Sequence, residues 1–202
     1  MYRSSKRILS KTLVTTMLVL AAIGSARAQR AEPTPPGDAV WQPVREVVFN
    51  STTFASTGTS QDRALMAKLW AKELSGARRT PAGDALPGFA LVATVRRNGV
   101  DYVLTMFNRA GPDTGCDMPG NGAQDLHATC PLRVVQMQGG DVLAGRSFPG
   151  YCMLAGLFDS GETARRLNRM EYAYDERAGV VRLRTIEHGR IVPACSRSIR
   201  LP

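Results

Sequence analysis

Between residues 116 and 130 the chain reads CDMPGNGAQDLHATC. Cys116 and Cys130 enclose Asp117, Asn121, Asp125 and His127, and Asp113 stands just ahead of them. Such residue types serve three chemistries. A cysteine beside a histidine can act as nucleophile and base. Two cysteines and a histidine supply three zinc ligands. Asp113, Asp117, Asn121 and Asp125 recur every fourth residue and offer oxygen atoms to calcium.

The spacing argues against each. Zinc knuckles place two cysteines within about four residues of one another, and Cys116 and Cys130 are much further apart. The calcium-loop pattern D-x-[DN]-x-[DN]-G is absent. In an oxidising compartment the two thiols form a disulfide in preference to holding a metal or attacking a substrate. The stretch reads as a polar loop stapled at its base. Asp113, Asp117, Asn121, Asp125 and His127 are its candidate binding residues, and neither a metal nor a cofactor is expected.

Other catalytic patterns are weaker. The chain has two histidines, His127 and His188, and His188 precedes a glycine at an expected hairpin tip. No G-x-S-x-G elbow, C-x-x-C pair, phosphate-cradling loop or dinucleotide fingerprint occurs. Asp113-Thr114-Gly115 and Asp159-Ser160-Gly161 resemble the aspartic-protease turn. The first lacks an apolar strand before it, and Glu162 follows the second where a small residue is usual. A carboxylate hydrolase built on Asp113, Asp117 or Asp159 is the alternative to a binding module.

The compartment is read from the N-terminus. Arg3, Lys6, Arg7 and Lys11 precede the apolar run Leu13–Ile23, and Ser25-Ala26-Arg27-Ala28 supplies small residues for cleavage. This layout predicts a signal peptide over 1–28 and a periplasmic or secreted product with no stable membrane span. Residues 29–39 form a proline-rich leader, and 40–202 a single β-rich domain. The whole chain carries +9; residues 1–28 hold five basic residues and no acid, which leaves +4 over 29–202. That charge is dispersed, so no nucleic-acid partner is expected. The even cysteine count (Cys116, Cys130, Cys152, Cys195) predicts two disulfides. Three pairings are possible; Cys116–Cys130 with Cys152–Cys195 is favoured.

The elements that must position these residues are mostly strands. Asn98-Gly99 between two apolar runs predicts a two-residue hairpin that pairs Val95 with Tyr102, Ala93 with Leu104 and Arg96 with Asp101. Further turns are expected at Gly139-Gly140, near Glu176–Gly179 and at His188-Gly189. A first strand is expected between Val40 and Phe49, with Pro43 at a sheet edge. Thr59 and Asp62 have capping-box spacing before Leu65, Met66, Leu69, Trp70 and Leu74, which predicts a helix over 60–75. A shorter helix is expected near 160–169. The expected fold class is α+β: an antiparallel meander, able to curve into a partial barrel, with one N-terminal helix packed on it and two disulfides. The functional expectation is an exported binding or inhibitor-type module for a protein or envelope partner.

Overall fold

The strongest local signal sets the register of the central hairpin. Asn98 and Gly99 both adopt positive φ (51° and 76°), which the tight turn requires. The flanking strands β3 (Gly88–Arg97) and β4 (Val100–Arg109) pair as expected, with Val95 opposite Tyr102 and Ala93 opposite Leu104. Arg96 and Asp101 form the ion pair beside the turn at 2.9 Å. This is a computed structural model, and it describes residues 40–202 apart from 53, 77–78, 110–114, 118–125 and 155–160. The expected signal segment and leader lie outside the described residues.

The β3–β4 hairpin is the centre of a five-stranded antiparallel sheet. β2 (Arg45–Phe49) lies on one side; β5 (His127–Gln138) and β6 (Asp141–Leu154) lie on the other, in the order β2-β3-β4-β5-β6. The expected single meander is incomplete in one respect, because the remaining strands form a second antiparallel sheet. β7 (Arg169–Asp175) and β8 (Val180–Glu187) are its hairpin. β1 (Gln42–Pro43) pairs with β7 and β10 (Arg197–Arg200) with β8, while β9 (Arg190–Ile191) also pairs with β8. The first strand expected between Val40 and Phe49 is therefore two strands. Pro43 has no N–H to extend a ladder, and at Val44 the chain passes from the second sheet to the first.

Two apolar cores follow from strand alternation. Val48, Leu91, Leu104 and Val134 of the first sheet meet Tyr172, Val181, Leu183 and Ile199 of the second. The opposite face of the first sheet buries Val47, Val92, Val103 and Val135 against Met66 and Trp70. Those two belong to the helical segment, which corrects a further expectation. Instead of one N-terminal helix, the described residues hold two in succession there, α1 (Ser60–Leu69) and α2 (Ala71–Ser75); α3 (Glu162–Leu167), before β7, falls within the shorter helix expected near 160–169.

The break between α1 and α2 falls at Trp70 (φ −114°, ψ 21°). Its indole N–H donates to Thr105 Oγ1 at 3.0 Å, its ring stacks on Phe107, and the Arg133 guanidinium lies 3.8 Å from the ring centroid. These contacts override continuation of the helix.

The start of α1 follows the capping signal. The Thr59 hydroxyl accepts from the Asp62 N–H (3.1 Å), and Asp62 Oδ2 accepts from the Thr59 N–H (2.8 Å). Asp62 also receives two hydrogen bonds from Arg45 of β2, at 2.8 Å each. Arg45 holds the Asp62 carboxyl down to about 2, assisted by Thr59 and opposed by burial. Thr59→Ala is expected to lower stability by about 1 kcal/mol, read from the urea midpoint. Thr59→Ser should retain most of it.

Candidate functional site

The two ends of the stapled segment are held stiffly. Cys116 and Cys130 are bonded to one another, and Cys152 to Cys195. One residue inside the first bond, Asp117 and Thr129 exchange both backbone hydrogen bonds at 2.8 Å. The two feet of the loop are thus clamped covalently and by a β-bridge. Leu126 packs against the core between the sheets.

Of the five candidate loop residues, Asp117 and His127 fall within the described residues; Asp113, Asn121 and Asp125 lie outside them, as does Asp159. Asp117 is exposed at one foot. His127, at the other, turns inward. β5 begins at His127 opposite Leu154 of β6. Its Nδ1 lies 2.7 Å from Oε1 of Glu187, the last residue of β8 in the other sheet. Both side chains are largely buried, 14 % and 6 % exposed. Facing a carboxylate, Nδ1 carries the proton and donates it. The pair joins the two sheets at the foot of the stapled segment.

The second disulfide lies against the same histidine. Cys152 sits opposite Thr129 across the β5–β6 ladder, and Cys195 ends the short 3-10 turn Pro193–Cys195. A ring nitrogen of His127 and the two sulfurs lie within 4.8 Å of one another. The bonded sulfurs are neither thiolate ligands nor nucleophiles. Tyr151 adds a further tie, its hydroxyl donating to the Cys195 carbonyl at 3.0 Å, and burial pushes its phenol up.

A carboxylate–imidazole pair is the orienting half of a hydrolytic relay, which also needs a hydroxyl or thiol for the imidazole to deprotonate. Among the described residues, Glu187 is the side chain hydrogen-bonded to His127. What this arrangement does is fix the base of the loop: two disulfides, one β-bridge and one buried hydrogen-bonded contact converge there. His188, at the β8–β9 turn, adopts φ 51°, and its N–H donates to Asn168 Oδ1 at 2.8 Å. It directly follows Glu187 and serves as a turn residue.

Two acids were not singled out from the sequence. Glu187 continues the inward alternation of Val181, Leu183 and Thr185. Glu46 likewise falls between Val44 and Val48, on the face of β2 that meets the second sheet. It is 2 % exposed, and its Oε1 has no hydrogen-bond partner. Burial pushes its carboxyl up to about 9, with Arg165 opposing the shift. A charged residue at an inward strand position was the available signal for both.

The second sheet's outer face is paved with arginine. Arg184 lies 3.8 Å from the Trp41 ring centroid and bonds Glu171, which Arg169 also bonds. Burial works against the charge on Glu171, but these two arginines outweigh it and hold the group below the usual carboxylate range.

Fold and site together define a disulfide-stapled, two-sheet antiparallel domain that carries a clamped polar loop. Comparison with protein-family models, with curated proteins and with solved structures finds no match to this chain. No helix among the described residues is long and apolar enough to cross a membrane, and together with the two disulfides this is compatible with a periplasmic or extracellular location.

Proposed function

We propose that the protein is an exported binding or inhibitor-type module that engages a protein or envelope partner through the loop between Cys116 and Cys130. The observation that carries this reading is the construction of the loop's base. Covalent and hydrogen-bonded clamps on both feet reduce the ordering cost of contact, which is how a rigid scaffold makes a loop an effective recognition element. His127, held by Glu187, serves here as a positioning residue. The exposed Asp117 and the polar residues that follow it in sequence supply the contact chemistry.

The test replaces residues 118–125 with a glycine–serine segment of equal length and leaves both disulfides in place. Saturable capture of a partner from envelope extract is expected to fall at least tenfold, while the melting temperature stays within a few degrees. Capture that survives the replacement sinks the assignment to this loop. Absence of any saturable partner for the unaltered protein sinks the binding reading itself.

A further inference from the structure

The two sheets each end in a free strand on the same side of the domain. Among the described residues, β6 pairs with β5 alone and β10 with β8 alone. At one end the two edges are tied, by Cys152–Cys195 and by an Arg197 guanidinium bond to the Gly150 carbonyl at 3.3 Å. Away from that tie they part. Arg146 and Phe148 stand opposite Val134 and Leu132, which face the second sheet. The β6 side chains therefore look the same way, but past the edge of β10.

The result is a shallow cleft. Val134, Ala144, Arg146 and Phe148 form its floor, and Ile199 and Arg200 its wall. Residues 141–147 of β6 are exposed, and a Cβ built on Gly145 would meet nothing within 4 Å. Arg146 lies over the Phe148 ring, 5.0 Å from its centroid. Register shifts bound the stretch 144–148 at both ends and leave a regular five-residue run between them. Such irregularities and charges keep an open edge from pairing indiscriminately. Among the described residues, the cleft's lining includes two arginines, Arg146 and Arg200, and no acidic side chain.

We propose that this cleft is a strand-addition site. An extended, acidic segment of a protein partner pairs with the free edge of β10. It lays its inward, apolar side chains over Phe148 and Val134, and its alternate, outward carboxylates face Arg200 and the exposed end of Arg146. Backbone hydrogen bonds to the edge supply affinity, and the alternate side-chain contacts supply selection. Charge selects this occupant over a second copy of the chain, which would set the same arginines against each other across the contact. The cleft's lining includes no residue between Cys116 and Cys130, so the two assignments stand or fall separately.

The test titrates the isotope-labelled, oxidised protein with a blocked peptide of about ten residues alternating valine and glutamate, and with its valine–lysine counterpart. The glutamate peptide is expected to shift amide resonances of 144–148 and 197–201 and to bind roughly tenfold tighter than the lysine peptide. Arg146→Glu with Arg200→Glu should reverse that preference while the rest of the spectrum stays unchanged. No shifts with either peptide, equal affinity for both, or shifts confined to other regions overturn the proposal. So does a concentration-dependent dimer in sedimentation with β10 protected, because the occupant would then be a second copy.

Discussion

Replacing Cys152 and Cys195 together by alanine is expected to lower the unfolding free energy by about 4 kcal/mol. The bond closes a loop of sequence separation 43. Chain-entropy reasoning gives the local bond Cys116–Cys130, of separation 14, about 3 kcal/mol. The native state enlarges the difference. Cys152–Cys195 fastens the first sheet to the turn that precedes β10, so its loss frees the edge of the second sheet. A loss of about 4 kcal/mol is a large share of the 5–15 kcal/mol or so that holds a typical domain folded. Urea unfolding of the two alanine pairs side by side checks the order. If the local pair costs more than the distant one, the long-range tie is not what holds the sheets together.

The second large effect is pH-dependent and runs against the usual direction for a carboxylate. Glu46 titrates near 9 in the folded protein, against an ordinary value near 4.5. The folded state therefore keeps a proton that the unfolded state releases. The stability associated with this group is fully present below about pH 4.5, and it is lost as pH rises through about 9. Asp62 has the opposite sign, since its depressed value of about 2 costs stability only in acid. Between pH 5 and 9 the Glu46 contribution stands apart from it. Urea midpoints are expected to fall across that window by an amount equivalent to a few kcal/mol, one pKa unit being about 1.4 kcal/mol. Glu46→Gln should flatten the dependence and be more stable than the unaltered protein at pH 8. An unchanged slope in the Gln variant would assign the dependence to other groups.

Local chemistry was legible in the sequence wherever the determinant was local. Asn98-Gly99 fixes a turn, and with it the entire β3–β4 register. Thr59 and Asp62 fix a helix start. The helix break at Trp70 was not legible, because the cause is an indole bond to Thr105 and an arginine reaching across from β5. Nor was the division into two sheets. β1 and β10 come from distant parts of the chain and join the same β7–β8 hairpin, and hydrophobic alternation alone does not say which sheet a strand enters. At the candidate site, the staple could be read from cysteine count and spacing. The partner of His127 could not, since Glu187 lies sixty residues away on another sheet.

The disulfide pairing is consecutive along the chain: first cysteine with second, third with fourth. If the chain is exported N-terminus first, as proposed, it exposes Cys116 and Cys130 to the oxidising medium before Cys152 and Cys195. An oxidant joining each thiol to the next one that appears would produce the native bonds directly. Thiol–disulfide reshuffling takes seconds to hours, and vectorial oxidation of this chain has no scrambled intermediate that needs it.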